Sequence, residues 1–437
     1  MDRPYLLKQC RELLIDDFHS EARVGDLHFR LHSPQELPEE PTQPRGHYQT
    51  VIHADGIYRL YYRGQLPLTD AAQMLQDGNP GEYTAYAESD DGRTWRCPEL
   101  GLFPDKAANA VWSGTMATHN FAPFLDEQPG CPPEERFKAL GGVQPGGGLF
   151  AFTSPDGIHW RPCGETPAMP PLKDKAWALD SQNVAFWSVA ENCYVLYYRV
   201  FEPIQGKKLR AIFKTTSDDF RHWQPGELMA LNREDEHLYV SQMAPYCRAP
   251  QLYIGTPTRF FGERGCATDI SLCFSRAGGP LFRPFPGAWI TPGLDPVRWG
   301  NRSNYLARNI VQTGPTELSL YHAQSGRRYV MRPDGFVSLH SGLFGGEWTS
   351  KTLTYGGGVL SFNVATSAGG SMAVELLDSD GQALPGASFA EHDLFYGDTL
   401  RYVPTWGGRS ELPLRPGDVF RLRCRLQEAD LFSFAVE

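Results

Sequence analysis

The chain has 437 residues, with 41 basic and 51 acidic side chains, a formal charge of −10 and no run of Lys or Arg, which excludes the basic footprint that nucleic acid requires. Hydrophobic content of 41% and charged content of 21% are those of a globular protein, and no stretch approaches the roughly 18 apolar residues of a membrane helix. Nine scattered cysteines without Cys-x-x-Cys pairs form neither a disulfide framework nor a zinc site, so a reduced, cytoplasmic setting is expected, with a trimmed secretion signal as the alternative.

Aromatic content of 12%, with 44 Gly and 35 Pro, favours many short strands joined by turns. Helix is expected only at Thr69 to Leu75 and at the beginning of the chain. There, Leu13-Leu14-Ile15-Asp16-Asp17-Phe18 places two acids directly after an apolar run. This is either a strand end at the surface or a carboxylate projected into a cavity, with Asp17 preferred to Asp16.

A turn motif then recurs. Ser89-Asp-Asp-Gly-Arg-Thr-Trp95 returns as Ser154-Pro-Asp-Gly-Ile-His-Trp160 and as Ser217-Asp-Asp-Phe-Arg-His-Trp223. Degraded copies begin at Ser275 and Arg332, so successive copies start 65, 63, 58 and 57 residues apart. Three strand-like runs precede each copy. In the first unit they are Tyr48–Ile52, Tyr58–Arg63 and Tyr83–Glu88; in the third, Asn183–Trp187, Cys193–Arg199 and Leu209–Thr215. With one strand after the Trp, each unit is a four-stranded antiparallel blade, and five units predict an all-β, five-bladed β-propeller over residues 1–338. A pair of β-sandwiches would not require such regular spacing. From residue 339 to 437 the alternating strands at Thr352–Val364, Met372–Leu377 and Phe420–Leu426 predict a jelly-roll-like β-sandwich. Its role is either structural, the preferred reading, or carbohydrate-contacting.

In a propeller the inner strands begin at one mouth of the central channel, so polar residues at those starts converge. The five starts read Gly46-His47-Tyr48, Thr118-His119-Asn120, Asp180-Ser181-Gln182, Glu236-His237-Leu238-Tyr239 and Asn301-Arg302-Ser303-Asn304. Asp180 and Asn183 either cap a turn or open the strand at the wall of a wet cavity, and their place in the five-fold pattern favours the cavity. Loops between second and third strands add Arg63, Asp70, Asp77, Arg199 and Asp269. Carboxylates among Arg, His and aromatic groups fit glycoside hydrolysis, in which one protonated acid and one ionised acid share the work. On this reading Glu236 is the proton donor, Asp17 the base or nucleophile, and Asp180 the group that holds sugar hydroxyls and tunes the acid. Tyr48, Tyr239 and Trp187 or Trp177 are stacking candidates. Arg63, His119, Asn120, Gln182, Asn183, Arg199, His237, Asp269 and Arg302 are further substrate-binding candidates.

The repeated Ser-x-Asp-Gly-x-x-Trp turns and the trailing sandwich resemble the furanosidase-type propellers, glycoside hydrolase families 32 and 43 and their relatives, and most closely the bacterial proteins described as family-32-like. The resemblance spans the whole chain as architecture. It implies three acids in the order Asp, Asp, Glu, which Asp17, Asp180 and Glu236 follow. The chain departs from it in lacking the Asn-Asp-Pro-Asn-Gly and Arg-Asp-Pro motifs, and its Glu falls in the fourth repeat, not the third. Substrate and stereochemistry therefore do not transfer. The expected function is an exo-acting glycoside hydrolase on a small carbohydrate. The alternatives are a transglycosidase, phosphorylase or lyase on the same scaffold, for which Arg63, Arg199 and Arg302 would suit an anionic sugar or phosphate, and a non-catalytic sugar-binding propeller. Nothing in the sequence asks for a cofactor or a metal.

Overall fold

In the computed structural model, which describes residues 4–37, 43–74, 76–114, 117–233 and 235–437, the chain divides into two units. One is Pro34–Met331; the other combines Met1–Ser33 with Arg332–Glu437. Among the described residues the cysteines are all unpaired, and no helix is long and apolar enough to cross a membrane. The structure is nearly all β-strand. The helix expected around Thr69 to Leu75 is one short turn, Ala71–Met74, and Leu75 lies outside the described residues.

The larger unit is a succession of small antiparallel sheets in chain order. The first is His47–Ala54, Ile57–Gln65, Glu82–Ser89 and Ala110–Trp112. The second is Ala122–Leu125, Phe137–Gly141, Phe150–Ser154 and Arg161–Pro162. The third is Val184–Ser188, Cys193–Ile204, Lys207–Ser217 and Glu227–Met229. The fourth repeat splits into two three-stranded sheets, because its first strand is interrupted between His237–Leu238 and Ala244–Tyr246, where Gln242 adopts φ 52°. The first strand of the fifth repeat likewise begins only at Val311, after Asn309 at φ 72°. A left-handed residue in each run interrupts the extended backbone that an apolar pattern suggests. The last sheet, Val311–Gly314, Glu317–Tyr321 and Arg328–Met331, is completed by Gln35–Glu36 from the unit's other end.

The first strands of these sheets are bolted together by buried side chains. Gln182 donates to Tyr48 O and Thr50 Oγ1 of the first sheet. Gln242 donates to Gln182 Oε1 and to Leu306 O. Arg308, fully buried, donates to Pro123 O and Ala185 O. Leaving any of these groups without its partner would cost the desolvation of a buried polar atom, so the starts of the first strands are held in mutual register.

The repeated motif explains how successive sheets dock. In each clean copy the Ser hydroxyl meets the Asp carboxylate, which then accepts two later backbone amides, as Asp156 does from Ile158 and His159 at 2.8 and 2.9 Å. Gly157 follows at φ 79°, and its carbonyl accepts from the Tyr61 hydroxyl of the preceding sheet at 2.9 Å. A Cβ at 157 would lie 2.4 Å from that hydroxyl. Gly157→Ala is therefore expected to destabilise the fold by about 1–3 kcal/mol through strain and displacement of Tyr61, read as a lower urea midpoint. An unchanged midpoint would contradict this account of the docking. The third copy carries Phe220 in place of Gly, and its ring packs on Phe124 and Tyr194. The fifth copy departs: Asp334 is fully buried and accepts from Ser433 and Asn363 in the other unit of the chain, to which it belongs.

That other unit corrects the expected boundaries of 1–338 and 339–437. The N-terminal segment does not belong with the repeats. Cys10–Leu13 pairs with the last strand, Arg11 opposite Ala435 and Glu12 opposite Phe434, and Ser20–Leu31 runs antiparallel to Val337–Ser350. This segment, expected to be helical at its start, is strand because its apolar residues complete an eight-stranded sheet. Along Val419–Val436, Phe420, Leu422, Cys424 and Leu426 alternate inward at 0% exposure, and they share a core with Leu14, Trp348 and Phe434, as a period of two dictates.

Candidate functional site

The starts of the first strands converge on a cavity of about 200 Å³ within the larger unit. His47 and Tyr48 come from the first sheet, His119 precedes the second, Asp180 the third, Tyr239 the fourth, and Arg302 and Tyr305 the fifth. Arg63 and Asp77 arrive from the strand and the loop that follow in the first repeat, and Arg210 from the third. Tyr48 and Arg302 hold φ of 51° and 54°. Such backbone is costly for bulky residues and persists where the surroundings enforce it. A larger cavity of about 520 Å³ lies at the far ends of the same strands, among Phe124, Phe186 and Trp187. Its lining mixes apolar and polar groups, with Glu127 and Arg308 as its charged residues, whereas the smaller one gathers a cluster of charges. The smaller cavity is the one that brings titratable groups together.

At its centre His119 links three carboxylates. Glu82 Oε2 lies 2.8 Å from Nδ1, while Asp77 Oδ1 and Asp180 Oδ1 lie 3.6 and 3.7 Å from Nε2. Burial disfavours the charged imidazole, but the bonds to Asp180 and Glu82 prevail and raise its pKa above the ordinary value. Arg63 Nη1 sits almost equidistant from both ring nitrogens, at 2.9 and 3.0 Å, facing the ring while Glu82 holds Nδ1.

The two acids that reach the cavity are pushed apart. Burial raises the pKa of Asp77, and the charges of Asp180 and Glu82 reinforce it against the pull of His119. Burial would also raise Asp180, but His119, Arg199 and Arg210 outweigh it and hold the group at about 2. Arg199, 2% exposed, meets Asp180 Oδ2 at 3.0 Å and also donates to its backbone carbonyl. Ligand atoms of Asp77, His119 and Asp180 all lie within 4.8 Å of one another, a donor set that a divalent cation could use. Arg199 already occupies one oxygen of Asp180, and Arg63 faces the histidine. These fixed cations oppose a metal ion, so the cluster is better suited to holding and moving a proton.

Several sequence candidates fall elsewhere. Glu236 is buried, ionically paired with Arg283 at 2.6 Å and Arg259 at 3.4 Å, and does not line the cavity. Asp269 is taken by Arg259 in a bidentate pair, both contacts 2.6 Å. Asp17 belongs to the other unit, is exposed and meets Arg23 at 2.9 Å, while Asp16 caps the Phe18 amide. Gln182 and Asn183 are buried scaffold: Gln182 joins sheets, and Asn183 binds Leu179 O and Ser181 O and accepts from the Arg199 amide. Asn120 is buried at φ 60° and does not line the cavity. His237 stands behind the wall, accepting the Arg210 amide at 3.0 Å. Trp187 packs on Tyr194, and Trp177 is exposed. Tyr48, Arg63, His119, Asp180, Tyr239 and Arg302 are brought together as expected, with Arg199 directly behind Asp180.

Arg210 had one legible signal: a charge between Leu209 and Ala211, both buried, on a strand of alternating burial. Phe201 to Lys208, expected as a loop, is the tip of the hairpin that carries it, turning at Gln205-Gly206 with φ 49° and 80°, as a type I′ turn requires. Asp77 stood in a loop beside Gly78, with nothing local to mark which way it faces.

Glu236→Gln is expected to act on stability, since it leaves the buried Arg283 guanidinium without its counter-charge while Arg259 keeps Asp269, at a cost of about 3–5 kcal/mol. Urea unfolding measures it. Wild-type stability together with lost turnover would return Glu236 to a chemical role.

No protein-family model matches the chain, and no curated protein matches it. Solved structures similar to it include the β-1,2-mannobiose phosphorylase from Listeria innocua, 11% identical over 70% of this chain and 97% of that one, with a TM-score of 0.47. A family 43 arabinoxylan arabinofuranohydrolase from Bacillus subtilis is 13% identical over 92% and 97%, with a TM-score of 0.43. The Bombyx mori family 32 β-fructofuranosidase is 10% identical over 93% and 94%, with a TM-score of 0.35.

Proposed function

We propose that the protein is a carbohydrate-active enzyme that cleaves a terminal glycosidic bond with retention of configuration, using Asp180 as nucleophile and Asp77 as acid and base. One observation carries this reading: two carboxylates within 4.8 Å of each other, one raised and one held at about 2. Divergent environments for paired acids are how one group stays protonated while its neighbour stays ionised. The close spacing favours retention, for which carboxyl groups stand about 5–5.5 Å apart, over inversion at about 6.5–9.5 Å.

In the first step an Asp180 oxygen bonds to the anomeric carbon as the glycosidic C–O bond breaks, and the Asp77 proton passes to the leaving oxygen. Asp77, now a carboxylate, then takes a proton from the water that attacks the same carbon and frees Asp180. Arg199 and His119 hold Asp180 ionised and oriented. Tyr48, Tyr239 and Tyr305 offer ring faces or hydroxyls to a sugar. The small volume, against about 300–1,000 Å³ for ordinary ligand sites, supports capture of one terminal residue and so exo-action.

The sheets are read as the blades of a five-bladed β-propeller and the second unit as a β-sandwich. The cross-links among the first strands and the convergence of their starts support this reading. Release of reducing sugar across a panel of glycans and aryl glycosides tests the function. Activity lost in both Asp77→Asn and Asp180→Asn supports it; binding without turnover, unaffected by either change, would leave a sugar-binding protein instead.

A further inference from the structure

Three guanidiniums, those of Arg63, Arg210 and Arg302, and the His119 ring line a cavity with only two carboxylates, in a chain whose formal charge is −10. Arg199 behind the wall takes Asp180, and Arg63 lies with His119 and Glu82. Arg210 and Arg302 remain. Among the described residues neither meets a carboxylate, and Arg210 Nε has no hydrogen-bond partner. Both guanidiniums lie over the same two rings, at 4.6 and 5.7 Å from the Tyr239 centroid and 4.8 and 5.9 Å from that of Phe260.

The Tyr239 and Phe260 rings and, at Arg302, a backbone in the left-handed region place both cations at one aromatic pair in the cavity wall. The pKa of Arg210 falls through burial and the charges of Arg199 and Arg302, whereas at Arg302 burial is outweighed by Tyr239, Tyr305 and Tyr48 and the pKa rises. His237 supplies no counter-charge: burial and Arg210 push it down to about 4, and it already accepts the Arg210 amide through Nδ1. Asp180, whose charge reaches Arg210, is already held by Arg199 and His119, so the cavity keeps an excess of positive charge that an anion taken up in function would relieve. Guanidinium matches planar and tetrahedral oxyanions through paired N–H donors.

We infer that Arg210 and Arg302 form an oxyanion-binding subsite beside Asp77 and Asp180, taking either the carboxylate of an acidic sugar or free inorganic phosphate. This rests on the proposed bond-cleaving role of the two acids and narrows it to an anionic reactant. If the oxyanion is the sugar's own carboxylate, it orients the terminal residue and the hydrolysis described above proceeds unchanged. If it is phosphate, the first step is unchanged, and in the second a phosphate oxygen in place of water bonds to the anomeric carbon as the bond to Asp180 breaks. A proton of that phosphate passes to Asp77, Asp180 leaves as the carboxylate, and a sugar 1-phosphate results.

Calorimetric titration of the full-length protein with inorganic phosphate, glucuronate, galacturonate and glucose tests the subsite. Binding of phosphate or a uronate below about 10 mM, weaker at higher salt, is expected, with glucose at least tenfold weaker than the best anion. Arg302→Gln and Arg210→Gln should each weaken the anion about tenfold or more. Arg302→Lys should recover part of the loss, and thermal melts check that the variants fold. Asp77→Asn should leave anion binding in place while turnover is lost, which separates the two claims. Sugar 1-phosphate formed only with added phosphate assigns the subsite to phosphate; cleavage of uronic glycosides without it assigns the subsite to the substrate carboxylate. No anion binding at about 10 mM, or binding indifferent to both arginine substitutions, overturns the inference and leaves the roles of Asp77 and Asp180 standing.

Discussion

Asp180→Asn is expected to lower kcat by about 10³-fold or more on whichever glycoside the protein cleaves best, because an amide neither attacks the anomeric carbon nor supplies a negative charge beside it. The fold should survive, since the Asn oxygen still accepts from Arg199, which meets the Asp180 carboxylate at 3.0 Å. Kinetics paired with a thermal melt distinguish lost chemistry from lost structure. A variant that folds and retains more than about a tenth of wild-type turnover would remove Asp180 from the reaction.

Asp77→Asn carries the second large effect, and its pattern is more diagnostic than its size. A sugar or alkyl leaving group needs a proton, so those substrates should slow by about 10²–10⁴-fold. A nitrophenyl glycoside, whose leaving group departs as a stable anion, should slow far less in the bond-breaking step. The pH profile adds a second check. Asp77 must be protonated, so activity falls as pH rises through its raised pKa. Asp180 must be ionised, so activity falls only as pH drops towards about 2. The wild type therefore works on the acidic side, and the alkaline limb should vanish in Asp77→Asn assayed on a nitrophenyl glycoside. If leaving groups of all kinds slow equally, Asp77 is not the proton donor.

The same two residues show how unevenly a site can be read from a chain. Asp180 was legible because it opens an apolar strand and because equivalent polar starts recur along the sequence. The repeat spacing placed Tyr48, His119, Tyr239 and Arg302 beside it. Asp77 sits in a loop with no periodicity to say which way it points. Glu236 had the same local credentials as Asp180, yet its partners Arg259 and Arg283 are far along the chain and hold it as a buried ion pair.

Local patterns by themselves determined most of the strands and the Ser-x-Asp turns, because side-chain alternation and turn chemistry act over a few residues. They also located the convergence of polar strand starts. Tertiary structure alone decided which carboxylates line the cavity. It paired Glu236, Asp269 and Asp17 with arginines, moved the N-terminal strands into the second unit, and left Asp77 and Asp180 on opposite sides of their ordinary pKa. Charge pairing depends on distances in space that sequence separation does not encode, and a carboxylate's chemistry follows from its neighbours more than from its place in a motif.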